Sequence, residues 1–296
     1  EIVRITQQGH GRPIISTLVG DHRVIAAGNN LFHSSKWKTF PDFLVDYIKI
    51  KLDPEWGSIE IKKPLPQRHP IMQWYDAFCR QQQDAIKRPE AIQSMPVTGV
   101  VACFLGTAYS LYLLDHNVDL QERLIYRLKH PGQFQGAYYE LLVAGILIRA
   151  GFDLILEDEV DNTCKHCEFA AVSKATGKRY WVEAKMRAVA GRLGRTSLDG
   201  GPENKPLAKL IPHLNAALAK PAPDERLIFV DLNAPPSFDQ DGRPSWLLPV
   251  ITRLERFERE ELAKNQTAYV FVTNFSEHRE LDKPPKSASV PFGLGI

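Results

Sequence analysis

The sequence predicts an α/β (α+β) protein, and three features carry that expectation. Residues 1–125 are dominated by apolar and amphipathic segments of helical length. A nearly all-apolar helix over 134–150 is then followed by three short segments of β character. A helix–strand alternation completes the order α-β-β-β-α-β by residue 232, and one more α-β pair follows. The expected organisation is a mostly helical N-terminal region (1–125), a second domain (126–275) and an irregular, proline-containing tail (276–296).

In the first region, 14–18 and 23–27 read as strands around the Gly20-Asp21 turn. Helices are expected over 42–52, 71–86 and 97–114, separated by loops that hold Pro54, Pro64, Pro66, Pro70, Pro89 and Pro96. Asp119 and Glu122 have capping-box spacing and open a helix whose Leu120, Leu124 and Leu128 share a face. Gly151 stands where the 134–150 helix should stop. Strands are expected over 153–156, 167–173 and 179–186, and the last two are joined by Lys174-Ala175-Thr176-Gly177-Lys178, a hairpin signal. A basic, Gly-rich loop spans 188–206. Leu207, Leu210, Ile211, Leu214 and Leu218 mark an amphipathic helix. Residues 227–232 and 268–273 are apolar strands flanking a helix over 249–264.

Composition sets outer limits. The 296 residues are 44% hydrophobic and 24% charged, with a net charge of +2, values of an ordinary globular chain and not of a strongly basic nucleic-acid-coating protein. Local basic patches remain compatible with that balance. Four cysteines are too few for a disulfide scaffold, and with no secretory leader in view the expectation is a cytoplasmic protein with reduced thiols. The uncharged run 96–114 has the length of a membrane span. It also holds Thr98, Gly99, Gly106, Thr107 and Ser110 and lacks flanking basic clusters, so it reads as a buried core helix without a membrane role.

The hairpin is the chemically informative segment. A turn centred on Ala175 and Thr176 pairs residues whose numbers sum to 351, which sets Glu168 opposite Glu183. Opposed residues of an antiparallel pair have Cβ atoms about 4.5–5.5 Å apart, where like charges destabilise unless a proton, a base or a cation intervenes. Strand alternation puts Lys185 on the Glu183 face and Val182 and Ala184 on the other. An oxygen-rich pair of this kind suits Mg²⁺ or Mn²⁺. Glu140, in Tyr138-Tyr139-Glu140 ahead of eight apolar residues, is a carboxylate on an apolar helix and so a further candidate.

The Glu140 helix, the Glu168 strand and Trp181-Val182-Glu183-Ala184-Lys185 together resemble the PD-(D/E)XK nuclease superfamily, whose restriction-endonuclease-like core has the order αβββαβ. The resemblance covers about a third of the chain. It implies a metal-dependent phosphodiester hydrolase, a DNA endonuclease ahead of an RNA one, in restriction, repair or phage defence. It also implies Glu168, Glu183 and Glu140 as ligands of Mg²⁺ or Mn²⁺, with Lys185 acting on water or phosphate. One departure stands out: Glu168 occupies the place of the family's usual Asp, and no Pro precedes it. Asp158 and Asp161 are the alternatives for that role, and a catalytically silent or partner-activated binding module, alone or as a homo-oligomer, is the alternative function.

Arg187, Arg192, Arg195, Lys205 and Lys209 cluster in or beside the Gly-rich loop and are expected as phosphate contacts. Cys164 and Cys167, with His166 and His130 nearest, fall short of a recognisable four-ligand zinc pattern. The chain has no P-loop or nucleophile-elbow motif.

Overall fold

The structure is a computed structural model describing residues 2–88, 91–118, 122–156, 168–196, 200–263 and 266–296. The chain forms two compact units, one of Glu1–Gly151 with Glu280–Pro285 and one of Phe152–Arg279 with Lys286–Ile296.

The first unit begins with α1 (Ile2–Gln8) and an antiparallel sheet of β1 (Ser16–Val19), β2 (His22–Ala27) and β3 (Asn30–Ser34). Helices α2 (Phe40–Lys51), α3 (Pro54–Ile61), α4 (Pro70–Ala85), α5 (Gly99–Asn117), α6 (Glu122–Lys129) and α7 (Pro131–Arg149) follow. Strand β3 and helix α3 lie where the sequence reading had only loops. Helix α3 starts at Pro54, whose missing N–H is harmless in a first turn, and Asp53 caps it by accepting the Glu55 N–H at 2.9 Å. Helix α5 covers the uncharged run and is buried along most of its length. Among the described residues no helix is long and apolar enough to cross a membrane. Residues 119–121, which hold the expected capping Asp and Leu120, lie outside the described residues.

Helices α2 and α5 meet through aromatic rings, with Phe43 and Tyr112 edge to face at 5.8 Å. A buried polar triad lies beside them: the Tyr47 hydroxyl donates to Asp115 at 2.7 Å, and Lys51 Nζ stands 2.7 Å from the same oxygen. Burial, and then the Asp115 charge, push the Tyr47 hydroxyl well above its ordinary pKa, so it stays a donor. Tyr47→Phe is expected to lower the stability of this unit by about 1–3 kcal/mol, the cost of stripping one donor from a buried carboxylate; chemical denaturation measures it.

The second unit is a six-stranded sheet in sequential order: β4 (Phe152–Leu156), β5 (Phe169–Ser173), β6 (Arg179–Met186), β7 (Glu225–Asp231), β8 (Ala268–Asn274) and β9 (Ala288–Leu294). Strands β4, β5 and β6 are antiparallel neighbours, β6, β7 and β8 run parallel, and β9 returns antiparallel to β8. Parallel neighbours need crossovers, supplied by α8 (Leu210–Leu218) and α9 (Leu247–Glu260). Both helices bury their apolar sides in one cluster with Ile228, Val230, Val270 and Val272. Strand β9 corrects the expectation of an irregular tail. Its Pro291 opposes Phe271 from an edge strand, a place in a sheet where a missing N–H is tolerated.

The chain order from α7 to β7 is the expected α-β-β-β-α-β. The expected boundary at 125/126 falls earlier than the observed division at Gly151/Phe152. Helix α7 packs against α5 and α6 and belongs to the first unit. Gly151 ends it as expected, with a φ of +91° that a side chain would resist.

Candidate functional site

The β5–β6 hairpin has the register read from its turn: Phe169 opposes Val182 and Ala170 opposes Trp181. The ladder ends at that Phe169–Val182 pair. The Glu168 N–H turns to the Val182 carbonyl at 3.1 Å, a bulge-like departure from the register, so Glu168 lies beside Val182 instead of squarely across from Glu183 and nears it only through the lysines described next. In the parallel β6–β7 ladder Glu183 aligns with Ile228 and Lys185 with Val230. Aligned residues share a face, so Glu183 and Lys185 project on the side where α8 and α9 pack. They are charged intrusions in an otherwise apolar layer.

Their charges are met in pairs. Lys185 Nζ lies 2.5 Å from Glu168 Oε1 and 3.0 Å from Glu183 Oε2. Lys220, just beyond the C-terminus of α8, places its Nζ 2.6 Å from Glu183 Oε1 and 4.0 Å from Glu168 Oε1. Each ammonium thus reaches both carboxylates. Glu183 has no exposed surface, and neither of its oxygens has an aligned hydrogen bond; what each oxygen faces is a lysine ammonium. Burial alone would depress the Lys185 ammonium, but the Glu168 and Glu183 charges outweigh it and hold its pKa above the ordinary lysine value. Lys185 is therefore a cation at neutral pH in this arrangement, suited to neutralising anionic charge and not to accepting a proton.

His213, on α8, adds a neutral group. Burial, then the positive charges of Lys185 and Lys209, bring its pKa down to about 4, and its Nε2 is sealed without a hydrogen-bond partner. Lys209, His213 and Lys220 recur at spacings of four and seven, which line up along one side of a helix. A folded-state pKa below the unfolded value of 6.5 means that His213 contributes stability above pH 6.5 and that this contribution is lost as pH falls through about 4. In an NMR titration the His213 ring signal is expected to move with a midpoint near pH 4; a midpoint near 6.5 would contradict the burial described.

The remaining expected site residues separate into groups. Glu140 is a buried residue of the first unit, where Arg127 NH2 pairs with its Oε2 at 2.8 Å. Asp158, Asp161, Cys164, His166 and Cys167 lie outside the described residues. Lys205 and Lys209 are exposed, Arg195 is partly so, and Arg192 pairs with Glu203 at 3.2 Å.

Arg187 is a correction. It is buried, and its guanidinium donates to the carbonyls of Leu232 (2.6 Å), Pro202 (2.8 Å) and Asn233 (2.9 Å). It ties the Gly-rich loop to the end of β7 and has no face left for a phosphate. The loop is anchored too, since Val189 and Leu193 are buried and Val189 bridges Gly201. Asp231 ends β7 beside this tie, accepting from the Phe275 N–H (2.8 Å), the Thr273 hydroxyl (2.7 Å) and the Asn233 N–H (2.7 Å). Complete burial pushes its carboxyl up to about 6 despite these donors.

Lys220 is the residue that sequence reasoning missed. The spacing of seven from His213 puts it on the His213 side of the α8 region, but no local signal tells that this side meets Glu183.

Fold and site together define a mixed α/β protein whose larger sheet carries a buried carboxylate–lysine cluster. No family model matches the chain, and no curated protein or solved structure matches it either.

Proposed function

We propose that the second unit is a divalent-metal-dependent phosphodiesterase of the PD-(D/E)XK type, with a restriction-endonuclease-like core, that cleaves nucleic acid, DNA ahead of RNA. The observation that carries the reading is the juxtaposition of Glu168 and the sealed Glu183 around the Lys185 ammonium. The βββαβ order of the second unit, preceded in sequence by α7 of the first, supports it.

The carboxylates fit a hard cation. Both oxygens of Glu183 lack aligned hydrogen bonds, and Glu168 shares its lysine partners with some exposure to solvent. No cluster of three or more His, Cys, Asp or Glu side chains is found among the described residues. Two carboxylates with water and substrate oxygens suffice for Mg²⁺, which keeps much of its hydration. Bound by Glu168 and Glu183, Mg²⁺ or Mn²⁺ would supply a lowered water pKa and charge neutralisation at phosphorus. Lys185 neutralises charge that develops on the phosphate oxygens. Arg192, Arg195, Lys205 and Lys209 flank the site in sequence and hold the polyanion by salt-sensitive contacts. Cys79 and Cys103 form no disulfide, in keeping with a cytoplasmic setting.

A second reading, a nuclease-fold module that binds or assembles without cutting, is favoured by one observation. Two lysines already balance the two carboxylates, leaving a site with no net charge. Incubation of supercoiled and linear DNA with the protein in Mg²⁺, Mn²⁺ or EDTA separates the readings. Cutting that requires the metal is expected; binding without cutting in either metal selects the second reading.

A further inference from the structure

We propose that Lys220 is a built-in stand-in cation, holding the place beside Glu183 that a divalent ion takes and withdrawing when that ion arrives. The inference rests on the reading of Glu168 and Glu183 as metal ligands.

The two ammoniums of the cluster are not equivalent. Lys185 issues from a strand, paired there with β7, two residues beyond Glu183, and its Nζ makes close contact with both carboxylates, at 2.5 and 3.0 Å. Lys220 follows the last turn of α8, and the segment it opens, Lys220-Pro221-Ala222-Pro223-Asp224, runs at the surface. Its Nζ has one close contact, 2.6 Å to Glu183 Oε1, and one long one, 4.0 Å to Glu168 Oε1. Both are lysines on flexible stems, and the Lys220 side chain (16% exposed) is no nearer water than Lys185 (25%); what distinguishes them is that Lys220 has one close contact to break and lies outside the sheet, whereas Lys185 has two.

Charge drives the exchange. Without an added ion, Lys220 is what keeps Glu183 Oε1 from being a buried anionic oxygen with no counter-charge. If a divalent ion joined while both ammoniums stayed, the buried site would carry two uncompensated positive charges. Withdrawal of Lys220 halves that excess and exposes Glu183 Oε1 to the incoming ion. The released ammonium then lies at the rim of the site, where an anionic substrate meets it. Lys220 is thus a positioning residue whose removal alters metal affinity before any chemistry occurs.

The test is calorimetric titration of MnCl₂ into wild type, Lys220→Met, Lys220→Arg and Glu168→Gln, with melting temperatures in EDTA and in Mn²⁺. Lys220→Met is expected to bind Mn²⁺ about ten-fold more tightly than wild type, because no ammonium competes for the carboxylate. It should melt below wild type in EDTA and recover in Mn²⁺. Lys220→Arg, which keeps the charge, should bind no more tightly than wild type. If wild type binds Mn²⁺, Glu168→Gln does not, and Lys220→Met matches wild type, the metal site stands and the displacement is overturned. If wild type and Lys220→Met both fail to bind, the metal-site reading falls and this inference with it. Should Lys220→Met fail to fold in EDTA, wild type crystallised with Mn²⁺ decides: with the ion located by its anomalous signal, Lys220 Nζ still 2.6 Å from Glu183 Oε1 overturns the proposal.

Discussion

Lys185→Ala is expected to reduce metal-dependent DNA cleavage by about 10²–10³-fold, the loss that follows removal of a single preorganised charge-stabilising donor from a hydrolytic site. The same substitution removes the 2.5 Å partner of Glu168 and one of the two ammoniums facing the sealed Glu183. Breaking a buried ion pair from one side costs about 3–5 kcal/mol, because the abandoned charge stays in a low-dielectric environment. Glu168 is partly exposed and softens that figure by rehydrating; Glu183 cannot. Lost activity and lost stability therefore need separating. Lys185→Met keeps the aliphatic stem and its packing while removing the charge. Plasmid nicking in Mg²⁺ and the urea midpoint in EDTA are measured on both variants. A folded Lys185→Met protein that cuts as fast as wild type would show that the chemistry lies elsewhere in the chain.

What the sequence revealed of this site follows the reach of local rules. Register in a tight hairpin is set by turn chemistry and two-residue alternation, both local, so the pairing of Phe169 with Val182 and the common face of Glu183 and Lys185 were legible, while the departure of Glu168 from that register was not. Nor was Lys220. It meets Glu183 only because α8 crosses back over the sheet, and nothing near either residue encodes that distance. Arg187 shows the opposite failure. A basic residue beside a glycine-rich stretch reads as solvent-facing, yet the carbonyls of Leu232 and Asn233 emerge where the β7 ladder ends and need donors from elsewhere in the fold. Helix α3 and strand β9 were obscured by their prolines, which are tolerated at a first helical turn and on a sheet edge. In each case the local signal was present, but its meaning depended on a position in the fold that only the tertiary structure fixes.

Arg187→Ala is expected to lower the stability of the second unit by about 3–5 kcal/mol, more than any loop substitution that merely removes surface charge. Three carbonyls would lose a charged donor at 2.6–2.9 Å, those of Leu232 and Asn233 in a place closed to water and that of Pro202 at its exposed edge. The damage would spread along the network those bonds fix. Asn233 sits at φ +43°, donates through Nδ2 to the Arg187 carbonyl at 2.9 Å, and accepts from Arg279 and His278 through Oδ1. Releasing the guanidinium frees a strained residue and loosens the anchor of the 188–206 loop together. Arg187→Lys should recover little, since a single ammonium cannot serve three diverging carbonyls as a planar fork does. The competing role, a phosphate contact, predicts a different pair of results: an unchanged urea midpoint, and a salt dependence of DNA binding shallower by about one unit in the log–log slope. A large drop in the midpoint, with the slope preserved in Arg187→Lys protein held folded at low temperature, is the outcome the buried guanidinium requires.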